Sequence, residues 1–102
     1  MKAELQNILN RINSFQLYNP SIFCEYQMLV KQCAEKLDAY KPDRSNPMLE
    51  AWLNAGLEEI NKELQTRLSV GFSSLSPDKQ KTEFMYSRST VSLALTNIIM
   101  NL

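Results

Sequence analysis

Apolar residues recur every three or four positions along most of the chain, which is the spacing of one face of an α-helix. The longest such stretch runs from residue 46 to residue 71. Its apolar stripe consists of Leu49, Trp52, Leu53, Leu57, Ile60, Leu64 and Leu68. At 1.5 Å per residue this helix would be roughly 36 Å long. We therefore predict that it forms the spine of a helical bundle, with Trp52 largely buried.

Three helix starts carry the same signal, a capping side chain followed at once by proline. They are Asn19-Pro20, Asn46-Pro47 and Ser76-Pro77. The side chain accepts a hydrogen bond from an amide of the first turn, and proline fits the first helical position because no amide donor is needed there. Together with a first helix over Lys2 to Phe15, they predict four helices. Gly71 is predicted to end the third helix in a left-handed conformation.

The composition supports a helical fold. Only two glycines and four prolines are present, too few for the turns of an all-β fold and too few for a disordered chain. Residues 41–45 are predicted to be a loop. We predict one all-α domain over residues 1–102, either an antiparallel four-helix bundle or helical hairpins completed by dimerisation.

The charge balance argues against several kinds of partner. Eleven basic and eleven acidic residues cancel, so nucleic acid is an unlikely partner. No apolar run approaches the length of a membrane span, and the first helix is too polar for a signal peptide. Cys24 and Cys33 would lie on opposite sides of one helix and stay reduced. We therefore expect a cytoplasmic protein.

Few residues are suited to catalysis or to binding a metal. The chain has no histidine, which removes the commonest general base and metal ligand. Neither cysteine belongs to a zinc-binding pattern. Glu59 and Glu63 are four residues apart, with Glu58 beside them, but a solvated helix face explains them. We predict no enzyme activity, no cofactor and no metal.

Two positions in the helices break the expected pattern. Arg88 falls on the apolar stripe of the last helix, where it would either pair with Glu25, Glu35 or Glu63 or reach the rim of the core. Gly56 interrupts the long helix at a cost of about 1 kcal/mol relative to alanine. Close approach of another helix would explain this glycine. A shallow groove for a partner's side chain, with Trp52 as one wall, is the alternative.

The last helix has two apolar seams. No charged residue occurs between Ser89 and Leu102. An inner seam is formed by Phe84, Val91, Leu95, Ile98 and Leu102. Leu93 points the other way, and Tyr86 and Met100 lie seven residues from it on the same line. This second seam would meet a partner, most simply another copy about a twofold axis; alternatively, the chain itself covers both seams.

A short segment of the last helix has a known counterpart. Residues 87–97, SRSTVSLALTN, follow the pattern S-x-x-T-V-S-x-x-L-x-N. The segment resembles the recognition helix of LacI-type repressors, although Met85 stands where that family has a glycine. The resemblance implies a helix-turn-helix over residues 78–97, whose second helix would read the major groove.

The sequence thus favours a small non-enzymatic protein-binding module of the adaptor, secretion-chaperone, immunity-protein or inhibitor type. Its partner would be another protein or a second copy, bound through an apolar helix surface. The residues predicted to bind the partner are Tyr86, Leu93, Met100, Trp52 and Arg88. The alternative is a small DNA-binding regulator that uses the helix-turn-helix-like segment.

Overall fold

A computed structural model describes residues 2–16, 18–40 and 46–102 of the chain. These residues form four α-helices and one short 3-10 helix, and none of them belongs to a strand. The helices are α1 (Lys2–Asn13), α2 (Pro20–Ala39), α3 (Pro47–Gln65) and α4 (Pro77–Asn101), and the 3-10 helix η1 spans Val70–Ser74. The predicted all-α class is therefore confirmed. The loop predicted at residues 41–45 lies outside the described residues.

All three predicted helix starts are present. The side chain of Asn19 accepts a hydrogen bond from the Ser21 amide at 2.7 Å. Asn46 accepts from the Leu49 amide at 3.1 Å, and Ser76 accepts from the amide three residues on at 3.4 Å. In each case proline occupies the first turn, where its missing N–H costs nothing. Local sequence alone therefore determines where α2, α3 and α4 begin.

Helix α3 ends six residues before Gly71, so the predicted helix end is wrong. Its last residue is Gln65, and Gly71 has no positive φ. The Leu68 amide donates to the Glu63 carbonyl at 2.9 Å, which closes a wider turn, and η1 follows. The early end lets Phe72 enter the core, where it is buried. Burial of a large aromatic ring is strongly favourable.

The core is one cluster to which every α-helix contributes. Helix α4 packs against α1 and α3, while α2 packs against α1 and α3. The inner seam of α4 is buried as predicted, except that its last residue, Leu102, is half-buried. Six aromatic rings form a chain of contacts near one end of α2 and α4, namely Phe15, Tyr18, Phe23, Tyr26, Phe72 and Phe84. The radius of gyration, 13.8 Å, is close to the roughly 13 Å of a globular domain of this size.

The core contains one fully buried pair of hydroxyls. Tyr26 and Ser87 are both inaccessible to solvent, and their oxygens are 2.7 Å apart. Burial raises the pKa of Tyr26 well above its ordinary value. The phenol therefore stays neutral and remains a hydrogen-bonding partner, which ties α2 to α4.

Tyr26→Phe should lower the free energy of unfolding by about 1–3 kcal/mol, because the Ser87 hydroxyl is left buried without its partner. The double variant Tyr26→Phe/Ser87→Ala should lose less free energy of unfolding than the two single variants lose together. The reason is that no buried hydroxyl is left without a partner in the double variant. Urea unfolding of the wild type, both single variants and the double variant gives the coupling energy. Strictly additive costs would show that the two hydroxyls do not interact.

Across the described residues, no helix combines the length and apolar character that crossing a bilayer requires.

Candidate functional site

The second seam of α4 is exposed. Tyr86 is 59% accessible, Leu93 is 64% and Met100 is 77%. The inner seam faces the core on the opposite side of the same helix. The alternative that the chain itself covers both seams is therefore wrong. Three large apolar side chains lie in one line on the surface, seven residues apart.

A groove of about 200 Å³ runs beside this seam, between α3 and α4. It is mostly apolar, and we call it the α3–α4 groove. Its lining residues are Trp52, Ala55, Gly56 and Glu59 from α3, and Thr90, Leu93, Ala94 and Asn97 from α4. Leu93 belongs to both features. The seam and the groove therefore form one continuous apolar surface.

Gly56 lines the groove at a point where α3 and α4 lie close together. A Cβ at this position would lie 2.6 Å from Cδ1 of Ile98, well inside van der Waals contact. The close approach of another helix, predicted from the glycine, is therefore confirmed. A groove with Trp52 as one wall, the alternative predicted for this glycine, is present at the same place.

Trp52 is 38% exposed, so its predicted burial is wrong. The buried side of α3 is centred on Leu53, Gly56 and Ile60, and Gly56 faces Ile98 of α4. Trp52 lies about 100° round the helix from Leu53. One part of its indole packs on the protein and the rest faces the groove. Its exposure is typical of a side chain at a contact surface rather than in a core.

Sequence reasoning missed most of the α4 side of the groove lining. Thr90 and Ala94 have small side chains that do not belong to an apolar stripe. One signal of the groove was available in the sequence, because Ala55 and Gly56 are two consecutive small residues on α3. The matching small residue on α4, Ala94, could be paired with it only once the register of the two helices was known.

A buried carboxylate lies next to the groove. Glu63 is buried, so the prediction that it lies on a solvated face is wrong, whereas Glu59 is exposed as predicted. Arg67 donates to Glu63 at 2.5 Å and to Glu83 at 2.8 Å. Burial lowers the pKa of Arg67, but the two carboxylates outweigh this effect and raise it. The guanidinium therefore stays charged, and it lies 5.7 Å from the ring centre of Tyr86.

Arg88 lies apart from the other four predicted binding residues. It is half-buried, and its guanidinium donates to the main-chain carbonyl of Phe15. Of the two alternatives predicted for Arg88, the position at the rim of the core is confirmed. Pairing with a carboxylate is wrong, because Glu25 and Glu63 pair with other arginines and Glu35 forms none of the ion pairs between described residues. A backbone carbonyl at the rim satisfies the guanidinium instead. Arg88 lines a separate polar hollow with Asn13, Gln16, Ser89 and Ser92.

The helix-turn-helix geometry implied for residues 78–97 is wrong. This stretch lies within α4, which is continuous from Pro77 to Asn101. There is no turn near Met85, where LacI-type repressors have a glycine. Ser87, the first residue of the matching segment, is fully buried and bonded to Tyr26. It therefore cannot reach a base edge.

The cysteines do not form a site together. Cys24 is exposed, Cys33 is buried, and both are free thiols. Burial raises the pKa of Cys33 to about 12, so it stays protonated. Among the residues that the structure describes, no three histidine, cysteine, aspartate or glutamate side chains are grouped to hold a metal ion.

No protein family, curated protein or solved structure matches this chain significantly.

Proposed function

We propose that this protein is a non-enzymatic protein-binding module that acts through the apolar surface of α3 and α4. The observation that carries the proposal is the line of Tyr86, Leu93 and Met100, three large apolar side chains exposed on one helix. An exposed apolar strip of this kind, rimmed by polar residues, usually marks a contact site because leaving it in water is unfavourable. The groove beside Leu93 adds a concave feature that a protruding side chain can fill.

The arrangement of the helices supports such a role. We infer that α3 and α4 run antiparallel, since Gly56 faces Ile98 while Arg67, further along α3, pairs with Glu83, earlier on α4. Two rigid helices then present one continuous surface. Adaptors, secretion chaperones, immunity proteins and inhibitors all act through a shaped surface without catalysis. Two free thiols fit a reducing compartment such as the cytoplasm.

The test compares capture of proteins from the native source by three immobilised forms of the chain. Leu93→Asp places a charge in the apolar surface. Met28→Asp is the matched control, because Met28 is 60% exposed in the middle of α2 and the same change is made on a different helix. Mass spectrometry should identify a protein, which can be this chain itself, that wild type and Met28→Asp retain and Leu93→Asp loses. Equal capture by all three would contradict the proposal.

A DNA column separates the alternative function from this one. A DNA-binding regulator would be retained at low salt and released steeply as salt increases, because each phosphate contact displaces counterions. The proposed module should flow through at low salt. Retention that depends on Arg88 would favour the regulator.

A further inference from the structure

We propose that the polar hollow around Arg88 binds one phosphate group, either free or as the monoester of a small molecule. The hollow lies between the end of α1 and the middle of α4, and it shares no lining residue with the α3–α4 groove. Its volume is about 350 Å³, within the roughly 300–1,000 Å³ that is usual for small-molecule sites. Binding there would be independent of the protein-binding role of the apolar surface.

Arg88 brings a positive charge to the hollow that no carboxylate of the described residues balances. Its guanidinium is half-buried and donates to the Phe15 carbonyl, which uses one of its five N–H groups. Every ion pair between described residues involves another basic side chain. The chain segments that form the hollow contain no acidic residue, since none occurs between Glu4 and Glu25 or after Glu83. Holding a cation partly out of water is unfavourable, and an anion in the hollow would offset that cost.

The other lining side chains are neutral and can donate hydrogen bonds. They are Asn13 and Gln16 from the end of α1, and Ser89 and Ser92 from α4. Ser92 donates to the side-chain oxygen of Asn13 at 3.1 Å, so the NH₂ group of Asn13 is the part left for a ligand. A phosphate group offers three strong acceptor oxygens, and a guanidinium can bind two of them side by side. One cation among neutral donors therefore suits one phosphate group.

The carbonyl groups at the end of α1 would repel an anion if they were free. They are already bonded within the chain. The Ser14 amide donates to the Asn10 carbonyl at 3.1 Å, and the Phe15 amide donates to the Ile12 carbonyl at 3.2 Å. The Phe15 carbonyl accepts from Arg88. These bonds weaken the negative potential that the helix end presents to the hollow.

A nucleic-acid backbone fits this hollow less well than a single phosphate group does. Proteins that bind nucleic acid present many basic groups along one face, because each phosphate that they contact is neutralised by lysine or arginine. Among the described residues that line the hollow, Arg88 is the one basic side chain. The site therefore has the charge to hold one phosphate and not a row of them.

NMR titration of the ¹⁵N-labelled protein with sodium phosphate tests the site. The side-chain amides of Asn13 and Gln16 and the backbone amide of Ser89 should shift and saturate, with a Kd on the order of 1 mM because the hollow is open to water. Phenyl phosphate, a monoester, should shift the same signals. Sodium chloride at the same ionic strength is the control for screening of surface charges. Signals that respond equally to phosphate and to chloride would overturn the site.

Arg88→Gln should raise the Kd for phosphate at least about tenfold, because a charged donor is lost. Glutamine keeps an amide donor for the Phe15 carbonyl, so the fold should be retained. Lys81→Gln is the matched control, because it removes the same charge from an exposed position on α4 outside the hollow. Its Kd should equal that of wild type. Equal affinities of wild type and Arg88→Gln would show that Arg88 holds no phosphate.

Ser89→Asp provides a second test if Arg88→Gln fails to fold. Ser89 is exposed, so the added carboxylate leaves the core intact, places a negative charge beside Arg88 and should abolish phosphate binding. Thr82→Asp adds the same charge at an exposed position two turns earlier on α4 and should bind phosphate like wild type. Phosphate binding that survives in Ser89→Asp would contradict the proposed site.

Two competitors identify the chemistry of the ligand. Sodium acetate should bind more weakly than phosphate, since it has fewer acceptor oxygens, and tighter binding of acetate would overturn the assignment to phosphate. A single-stranded DNA oligonucleotide should not displace phenyl phosphate. Displacement by DNA would instead indicate a nucleic-acid site and overturn the single-phosphate site. None of these variants alters the α3–α4 groove or the seam of α4, so their failure would leave the proposed protein-binding function standing.

Discussion

Phe84→Ala should lower the free energy of unfolding by about 3–5 kcal/mol, the cost of removing a large aromatic side chain from a packed core. Phe84 is 0% exposed, and its ring centre lies 5.2 Å from that of Tyr18 and 4.9 Å from that of Tyr26. The change removes both ring contacts and leaves a cavity beside Tyr18 and Tyr26. Urea unfolding followed by far-UV circular dichroism measures the effect.

Trp52→Ala is the control for this experiment, because Trp52 is the larger side chain and lies on a predicted stripe. Because Trp52 is partly exposed, we expect Trp52→Ala to lower the free energy of unfolding by only about 1–2 kcal/mol. Comparing the loss of unfolding free energy in the two variants therefore tests which of the two side chains lies in the core. A Trp52 variant as unstable as the Phe84 variant would place Trp52 in the core and remove it from the proposed binding surface.

Local signals in the sequence were enough to predict where helices begin. Asn19, Asn46 and Ser76 each accept a hydrogen bond from the first turn of the helix that they precede. This interaction involves only residues within three positions of one another, so the sequence around each helix start contains the whole signal. The exposed seam of α4 was predictable for a similar reason. Helix geometry alone separates Leu93 from Val91 and Leu95.

Features that depend on a neighbouring helix could not be predicted in the same way. The stripe of α3 contains both Trp52 and Leu53, and periodicity cannot decide which of two adjacent residues faces the core. The closest approach of α4, at Gly56, decides it. Gly71 is a similar case, because the helix ends at Gln65 and the chain then turns so that Phe72 is buried in the core, a contact with distant residues.

Polar partners were harder still to predict. Sequence spacing placed Arg88 on an apolar stripe and offered three carboxylates as partners. The structure gives it the carbonyl of Phe15, a backbone atom that carries no signal in the sequence. Glu63 was assigned to a solvated face with Glu58 and Glu59. It turns inward because Arg67, four residues later on the same side, supplies a charged partner at the rim.

Gly56→Leu should lower the free energy of unfolding by about 3 kcal/mol, at the upper end of the usual range for overpacking. Even a Cβ at this position would lie 2.6 Å from Cδ1 of Ile98, which is itself fully buried. A leucine adds three further carbon atoms where α4 passes, so α3 and α4 must separate. Separation would also deform the groove, and the variant should therefore lose binding at this surface. Urea unfolding and the capture of proteins from the native source measure the two effects.

Gly56→Ala separates two effects of replacing this glycine, the clash of a side chain with Ile98 and the gain in helix propensity. Replacing a mid-helix glycine by alanine gains about 1 kcal/mol in helix propensity. The methyl group meets mainly the far end of the Ile98 side chain, with the next atom, Cγ1, at 3.4 Å. Rotation of that end can relieve most of the contact, so the net change should stay within about 1 kcal/mol of zero. If Gly56→Leu were as stable as Gly56→Ala, the two helices would not be in contact here, and the glycine would need another explanation. If both variants are strongly destabilised, Ile98 cannot move, and the glycine is required by packing alone.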